Sequence, residues 1–333
     1  MMTVLFLEFH NAGSISAADV SEISTYDLKT LSIHMEICQY TPDLAEEIAK
    51  AYNRQVRKVP YCYGITGTLF RAEAAERLPR GANDVPLEWQ TEYVATEAGR
   101  VLGFIQVGAK SKNTNEREGM IRFFWYEPGH RAAGQALLNA AEQMLRERGI
   151  RRVLAFHQNY TYSFYQLQYS YLSTHLGHID ALLRLNKYRR TAGEVFLQKL
   201  DFDPPEPKRL NFGVRITARW EKRSPAGSNV RMVGYMGEIA IAECIAHGIA
   251  EYSNEDPAKD WFYIAWLGVD ESFRGKHLGR HLLERTMLQM RRAGYRHAII
   301  STAANNHLAF VFYTNLGFEV SDWTFGLSKI LGD

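Results

Sequence analysis

The stretch that decides the fold reads LGVDESFRGKHLGR and extends from Leu267 to Arg280. An apolar run typical of a buried strand ends at Val269, and a turn of small and basic residues leads into a helical pattern from Leu278. Such a turn leaves backbone N–H groups unpaired at the positive end of a helix dipole, which suits an anionic phosphate. The sequence therefore predicts a strand, an anion-binding turn and a helix in direct succession.

Two common phosphate-binding motifs do not fit this turn. It is not a Walker A loop, because its glycines lie too far apart and His277 stands where that loop has the Ser or Thr that binds magnesium. It also lacks the GxGxxG spacing of a dinucleotide-binding turn. Since Arg274, Lys276 and Arg280 add positive charge, the turn still predicts a pyrophosphate ligand.

The segments around this turn alternate between strand and helix patterns. A helix is predicted from Leu278 to Arg292, and Gly294 is suited to close it because glycine readily adopts the left-handed conformation at helix ends. The other elements predicted for this half are strands at Val230–Tyr235, Glu238–Ala246, Phe262–Val269 and His297–Ser301, a helix at His307–Leu316 and a strand from Phe318 toward Ile330.

The first half of the chain repeats this order. A predicted helix from Arg131 to Arg148 ends at Gly149, and a strand at Arg152–Phe156 follows. The other elements predicted for this half are strands at Met1–Phe9, Ile33–Tyr40, Glu92–Glu97, Val101–Ala109 and Met120–Tyr126, a helix from Pro42 with Leu44, Ile48, Ala51, Tyr52 and Val56 on one face, and a long helical stretch that reaches Lys187. The sequence therefore predicts an internal repeat of a mixed α/β unit.

A proline-rich segment separates the two repeats. Asp203 to Lys208 reads DPPEPK, and its prolines remove backbone donors and favour an extended linker. At 333 residues the chain also exceeds the usual size of one hydrophobic core. We therefore predict two domains, at residues 1–205 and 206–333.

Composition limits the classes of function. With 46% hydrophobic and 23% charged residues and no apolar run of membrane-spanning length, the chain is expected to be soluble, with no membrane partner. The N-terminal stretch lacks a basic leader and the three cysteines have no CxxC spacing, so we expect a cytoplasmic protein without a metal site. The net charge of +2 is scattered, which predicts no nucleic-acid partner. We interpret the basic runs 187–190 and 291–292 as solvated helix ends.

The segment RGKHLG, from Arg274 to Gly279, resembles motif A of the GNAT acyltransferase superfamily, Gln/Arg-x-x-Gly-x-Gly/Ala, with His277 in place of the middle glycine. In that family the motif binds the pyrophosphate of acyl-CoA. The resemblance implies that backbone groups of Leu267 and Val269 align the pantetheine arm. It assigns the rest of the acetyl-CoA contacts to Arg274, Gly275, Lys276, His277, Leu278, Gly279 and Arg280.

A second copy of the same motif lies in the first half, where RAAGQA at Arg131 to Ala136 matches the pattern at each position. The bare pattern is short enough to occur by chance in a chain of this length. Its occurrence after a predicted strand and before an amphipathic helix, in both repeats, favours a phosphate-binding role over two ordinary helix starts.

The segment NNHLAFVFYTNLGF, at residues 305–318, resembles motif B of the same superfamily at Asn306, Ala309, Tyr313, Gly317 and Phe318. The resemblance implies that Asn306 contacts the CoA arm and that Tyr313 is the general acid. A tyrosine suits this chemistry, because a phenol of pKa about 10 can protonate a departing thiolate whose conjugate acid has a pKa near ~8.5. The working catalytic centre is therefore expected in the second half.

These resemblances imply a fold of the α/β (α+β) class, with two tandem GNAT-like domains, each a mixed, mainly antiparallel sheet flanked by helices. The arrangement is similar to that of mycothiol synthase and related two-domain acetyltransferases. The expected reaction is direct attack of a primary amine on acetyl-CoA, without an acyl-enzyme. The acceptor is expected to be a small-molecule amine or a peptide N-terminus, and the pattern does not distinguish between them.

The base and the role of the first half are less well defined by the sequence. The acidic and histidine residues near the motifs are open as bases, and none is assigned: Glu243, His247, Glu251, Asp270 and Glu271. Phe164 and Tyr165 could correspond to Phe312 and Tyr313, but no Gly-Phe pair follows them. We therefore expect a degenerate first half whose crowded aromatic residues pack a helix.

Two other functions stay open. A non-catalytic acyl-CoA sensor is favoured if His277 blocks the turn. A transferase that uses aminoacyl-tRNA needs a basic groove, which the charge distribution does not indicate.

Overall fold

A computed structural model describes residues 35–80, 84–113, 116–221, 228–251, 253 and 255–332. The predicted strand at Met1–Phe9 lies outside these residues, as does the start of the strand predicted at Ile33–Tyr40. The rest of that strand is present as β1, at Met35–Gln39.

The first half contains most of the elements that its pattern predicts, and three that were not predicted. Helix α3 closes at Gly149, which has a left-handed φ of 70°, as the sequence predicts. In chain order after β1, the elements are α1 (Ala45–Val56), α2 (Gly67–Ala75), β2 (Trp89–Glu97), β3 (Arg100–Asn113), β4 (Glu116–Tyr126), α3 (Arg131–Glu147), β5 (Arg152–Ala155), β6 (Leu172–Ser173), α4 (Gly177–Leu185) and β7 (Arg189–Lys199).

The second half agrees closely with its predicted pattern. Helix α5 has the predicted bounds, and Gly294 beyond it has a φ of 103°. The elements are β8 (Arg215–Glu221), β9 (Asn229–Met236), β10 (Ile239–Gly248), β11 (Trp261–Val269), α5 (Leu278–Arg292), β12 (His297–Ala303), α6 (His307–Thr314) and β13 (Glu319–Ile330). Short 3₁₀ turns lie at Pro42–Leu44, Thr174–Leu176, Ile249–Glu251, Asp256–Asp260 and Glu271–Phe273.

The described strands form one mixed, mainly antiparallel sheet, in which the halves exchange their last strands. Along the sheet the order is β1-β2-β3-β4-β5-β13-β7-β12-β11-β10-β9-β8, with β6 paired to β13. Strand β7 of the first half therefore pairs with β12, and β13 of the second half pairs with β5. The predicted boundary between residues 205 and 206 lies in the segment between β7 and β8, and it stays a prediction because the sheet continues through both halves.

The hydrophobic cores follow this exchange. Val195 and Leu197 of β7 pack in the core of the second half, with helix α5 against β9, β10 and β11. Leu327 of β13 packs in the core of the first half, where α3 lies on β2 and β3. Each half therefore completes the core of the other, and the apolar side chains that are exchanged contribute to stability on the partner side.

One stretch of the first half differs from the prediction. The long helical stretch expected to reach Lys187 is present only as α4, and residues 157–171 form turns before β6. The reason lies in the backbone, because Phe156, Gln166 and Tyr169 have left-handed φ angles of 55°, 53° and 68°, which a right-handed helix excludes. Most of its aromatic side chains are nevertheless buried, so they pack the core from a loop.

Four elements were not predicted. Helix α2 and strands β6, β7 and β8 have no counterpart in the predicted pattern. The basic run 187–190 was interpreted wrongly as a solvated helix end, because Arg189 and Arg190 begin strand β7.

Within the described ranges, no helix is long and apolar enough to cross a membrane. The same ranges contain no group of His, Cys, Asp or Glu residues that could hold a metal ion.

Candidate functional site

Strands β11 and β12 separate along their length and create a cleft. They pair in parallel only from Trp261 opposite His297 to Ile264 opposite Ile300. Beyond this point β11 contains an extra residue, Ala265, because its neighbours Ile264 and Trp266 pair with consecutive residues of β10. Such a bulge bends a strand away from its partner. The cleft therefore opens where β11 runs toward α5.

A first cavity of about 590 Å³ lies at the start of α5, and we call it the α5 cavity. Leu267 and Val269 of β11 line it. The N–H of Asp270 bonds to β10, and since alternate residues of a strand point to opposite edges, the backbone groups of Leu267 and Val269 point into the cleft. The α5 cavity contains most of the predicted CoA-binding residues, namely Leu267, Val269, Arg274, Gly275, His277, Leu278, Gly279 and Arg280.

The turn before α5 presents unpaired backbone donors. In the described part of the chain, the N–H groups of residues 275–280 make no backbone hydrogen bond. His277 caps the helix in the left-handed conformation, with φ 62° and ψ 7°. Histidine therefore adopts the conformation that the family's middle glycine supplies, at a cost of about 1–2 kcal/mol. Gly279 allows close packing, because a Cβ there would lie 3.3 Å from Val269.

The predicted cations surround this turn but differ in their partners. Arg274 forms an ion pair with Glu271 at 3.0 Å, and Arg280 forms one with Glu284 at 2.7 Å. Lys276 lies over the ring of Phe273, with 5.0 Å between its Nζ and the ring centroid. Lys276 makes no ion pair within the described residues, so its charge is available to an anion at the turn.

Helix α6 places Tyr313 between two cavities. Tyr313 lines the α5 cavity and also a second cavity of about 870 Å³, which we call the shared cavity. Its side chain is buried, which raises its pKa, and the nearby Cys244 and Glu194 raise it further. Its hydroxyl has no hydrogen-bond partner among the described residues. Asn306 caps α6 by accepting from the N–H of Ala309 at 3.2 Å, and it lines the shared cavity instead of the α5 cavity.

The shared cavity has walls from both halves of the chain. Strand β7 contributes Glu194, which lies opposite Ala303 of β12 and is 8% exposed. Burial raises the pKa of Glu194 to about 7. The sequence analysis missed this residue because β7 was not predicted. The cavity is lined from the first half by Gln158, Tyr169, Tyr171 and residues 190–194, and from the second by residues 264–267 and 300–307, Tyr313 and Phe325.

The residues left open as bases lie elsewhere. Glu243 is paired with Arg231, Glu271 is paired with Arg274, and Asp270 accepts from the N–H of Ser272 at 2.9 Å. None of the five, His247 and Glu251 included, lines the shared cavity.

Comparison with known proteins identifies the family. Two segments, residues 66–169 and 202–318, match the model of the Acetyltransferase (GNAT) family. The chain belongs to this family. No curated protein matches.

Solved structures share the tandem GNAT fold. A tandem GNAT protein from the clavulanic acid biosynthesis pathway is 13% identical, with 90% of this chain and 99% of that chain covered and a TM-score of 0.63. The GCN5-related glucosamine N-acetyltransferase region of a fungal multi-domain β-N-acetylglucosaminidase is 13% identical over 89% of this chain and 38% of that one, with a TM-score of 0.58. A GCN5-related N-acetyltransferase from Sphaerobacter thermophilus is 13% identical over 89% and 95%, with a TM-score of 0.55. Identities this low show the fold alone.

The first GNAT repeat contains the same strand divergence and bulge, but its cleft is filled. Strands β4 and β5 pair only from Glu118 to Ile121, and Arg122 is the extra residue that corresponds to Ala265. The buried guanidinium donates to the carbonyl of Tyr160 at 2.9 Å and to Gln90 at 3.1 Å, and it also contacts the carbonyl of Glu76. Arg122 therefore ties the aromatic loop to strands β2 and β4.

The first repeat has a leucine at the position of Tyr313. The N–H of Tyr188 donates to the carbonyl of Leu183 at 3.1 Å, as the N–H of Phe318 donates to the carbonyl of Tyr313 at 3.1 Å, so Leu183 occupies the position of Tyr313. Lys187, with a φ of 69°, takes the place of Gly317. The sequence comparison with Tyr165 was misplaced: the Tyr165 hydroxyl is buried and accepts from the N–H of Ser173 at 2.9 Å.

The stricter copy of motif A does not form an anion-binding turn. Gly134 lies inside α3, four residues into a helix that begins at Arg131 directly after a short loop. A Cβ at Gly134 would lie 2.5 Å from the ring of Tyr126. The Tyr126 hydroxyl also donates to the carbonyl of His178 at 2.8 Å, and the His178 Nε2 bonds the carbonyl of Tyr126 at 3.1 Å, which ties α4 to the end of β4. Gly134 therefore serves helix-to-strand packing.

Proposed function

We propose that the protein is an N-acetyltransferase that transfers an acetyl group from acetyl-CoA to a primary amine, with its active centre in the second half. The observation that carries this proposal is the position of Tyr313, which lines both the α5 cavity and the shared cavity. A group between a donor site and an acceptor site is suited to act where the two substrates meet.

The α5 cavity suits acetyl-CoA. The unpaired N–H groups of residues 275–280 and the charge of Lys276 match a pyrophosphate. The inward-pointing backbone groups of Leu267 and Val269 match the amide groups of pantetheine, which would lie along β11 like an added strand. The predicted contact of Asn306 with the CoA arm stays a prediction, since its side chain caps α6.

The shared cavity suits the acceptor. It opens beside the divergence of β11 from β12, and its volume of about 870 Å³ accommodates a small amine or the end of a peptide. We propose a small-molecule amine as the partner and, as a second form of the same chemistry, a peptide N-terminus.

The reaction begins with a neutral amine. Its nitrogen attacks the thioester carbonyl carbon, the C–N bond forms, and collapse of the tetrahedral intermediate breaks the C–S bond. The thiolate takes a proton from the Tyr313 hydroxyl. The proton that leaves the new amide nitrogen returns to the tyrosinate through water. Burial raises the pKa of Tyr313, so its hydroxyl stays protonated at neutral pH and can donate a hydrogen bond to the departing thiolate.

A direct assay tests this proposal. Acetyl-CoA is titrated into the protein by calorimetry, and CoA release is then measured against a broad library of primary amines. We expect one acetyl-CoA per chain and amine-dependent release of CoA. Binding without turnover on any amine would replace the enzyme with an acyl-CoA sensor, and absence of binding would reject both.

A further inference from the structure

The shared cavity contains one carboxylate in the part of the chain that the structure describes, Glu194 of β7. Strand exchange places it there: β7 belongs to the first half but lies between β12 and β13 of the second. Thr324 of β13 donates to the backbone carbonyl of Glu194 at 3.2 Å, which holds this part of β7 against the neighbouring strand. The side chain is therefore presented to the cavity from a rigid sheet.

The Glu194 carboxylate has no ion-pair partner among the described residues. The nearest basic residue on its own strand, Arg190, is engaged elsewhere: it bonds Asp180 at 3.1 and 3.0 Å and lies over the ring of Phe325 at 4.0 Å. The Ser301 hydroxyl bonds Glu194 and also contacts the Tyr263 hydroxyl at 2.8 Å. A buried acid without a counter-ion is poised to bind a cation from solution.

We infer that Glu194 is the catalytic base of the second half, and that it receives the proton of a primary ammonium group bound in the shared cavity. This inference rests on the proposed acetyl transfer. Glu194 takes one proton from R–NH₃⁺, which gives R–NH₂ and a neutral carboxylic acid. The amine then attacks the thioester, and Glu194 releases its proton to water after the product leaves.

The wall of the cavity also assigns a class of acceptor. Aromatic side chains surround the space beside Glu194, namely Tyr169, Tyr171, Trp266 and Phe325. The Arg190 guanidinium is already neutralised by Asp180, so it offers little to a phosphate or a carboxylate. The structure assigns a monoamine whose body is uncharged and carries a ring or an apolar chain.

Several groups face Glu194 and influence its titration. Its charge raises the pKa of Tyr171, from the loop before β6, and of Tyr313, from α6. His307 of α6 and Arg190 of β7 line the same cavity, and Tyr263 of β11 contacts Ser301. Burial dominates these effects and holds the pKa of Glu194 at about 7, so the base is ionised above neutral pH.

Two matched acceptors test the inference. 2-Phenylethylamine and O-benzylhydroxylamine have the same shape, but the first is an ammonium ion at pH 7 and the second is neutral. For the first probe we expect Glu194→Gln to lower kcat by a factor of about 10²–10³, since a positioned base contributes this much. For the second we expect the same variant to change kcat less than about threefold, because no proton must be removed before attack.

The controls separate the inference from the proposed function. Glu319→Gln, an exposed glutamate on neighbouring strand β13, should leave both rates unchanged. Equal losses for both probes in Glu194→Gln, or no loss for either, would overturn the base assignment while acetyl transfer by the wild type stands. If the wild type acetylates only polyanionic amines, the acceptor class is wrong. A wild type that acetylates no amine at all rejects the proposed function itself.

Discussion

Arg122 of β4 and Ala265 of β11 are the extra residues of equivalent bulges, and they have opposite effects on the cleft beside them. Arg122 is 2% exposed, and its guanidinium donates to the carbonyl of Tyr160 and so ties down the aromatic loop beside the first cleft. Ala265 ends at its Cβ, so the second cleft stays open as the wall of the shared cavity. The bulge accompanies strand divergence in both halves, and the side chain at the bulge differs: it binds the aromatic loop in the first and lines a cavity in the second.

The closed cleft still serves the open one. Strand β7 is the last strand of the first half, but it is held between β12 and β13 of the second half, and there it brings Glu194 to the shared cavity. The first half therefore supplies one wall of the shared cavity. Because the two halves differ in this way, equivalent substitutions in them are expected to affect different properties, namely turnover in the second half and stability in the first.

The largest expected effect concerns the two tyrosines. Tyr313→Phe removes the unpartnered hydroxyl that lies between the cavities, and we expect kcat to fall about 10²–10⁴-fold while acetyl-CoA affinity is kept. Steady-state kinetics and calorimetry measure the two quantities.

The matched change in the first half is Tyr165→Phe, which removes a hydroxyl bonded to the N–H of Ser173. We expect a loss of about 1–3 kcal/mol in unfolding free energy, since a buried donor loses its partner, and no change in kcat per folded molecule. If Tyr165→Phe abolished turnover and Tyr313→Phe did not, the assignment of the working half would be reversed.

The sequence predicts the second half better than the first, for a physical reason. The turn before α5, helix α5 and the motif around Tyr313 depend on contacts between residues close in the chain. One example is the hydrogen bond from the N–H of Phe318 to the carbonyl of Tyr313, and such local contacts can be predicted from sequence patterns. The site residue Glu194 depends on pairing with Ala303 and Thr324, more than one hundred residues away. Strand exchange leaves no local signature. A lone glutamate directly before the apolar run Val195 to Leu197 was the available signal.

The loop that fills the first cleft was missed for a related reason. Its aromatic residues were expected to pack a helix, but its conformation depends on the buried Arg122 reaching the carbonyl of Tyr160. Conversely, the strict match at Gly134 suggested a phosphate site, whereas the glycine makes room for Tyr126. A motif match alone does not distinguish a glycine that is needed for its backbone conformation from one that leaves space for an aromatic ring.

The second-largest expected effect is on folding stability, and it concerns the buried carboxylates beside the clefts. Glu194 has no ion-pair partner among the described residues, whereas buried Glu142 of the first half bonds Lys329 and Arg146, both at 2.6 Å. Burial raises the pKa of Glu194 to about 7, compared with about 4.3 in an unfolded chain. Ionisation of Glu194 therefore opposes folding, and this penalty develops as pH rises from about 4.5 to above 7.

Glu194→Gln removes that penalty. We expect the variant to be more stable than the wild type by up to about 3 kcal/mol at pH 8 and nearly equal to it at pH 4.5, measured by urea unfolding. Glu142→Gln should destabilise at pH 8 because it leaves Lys329 without its partner. A destabilised Glu194→Gln at pH 8 would contradict the view that this carboxylate is unpaired.

The smallest expected effect concerns the residue that precedes helix α5. His277 holds a left-handed φ of 62° where the family has glycine, so His277→Gly relieves backbone strain but adds freedom to the unfolded chain. We expect a net gain of about 1 kcal/mol or less in stability and acetyl-CoA binding about fivefold tighter at most. His277→Ala retains the strain and should not tighten binding. If His277→Gly tightened binding more than about a hundredfold, the imidazole would be an obstruction of the turn, and the wild-type protein would resemble the filled first half more than its geometry indicates.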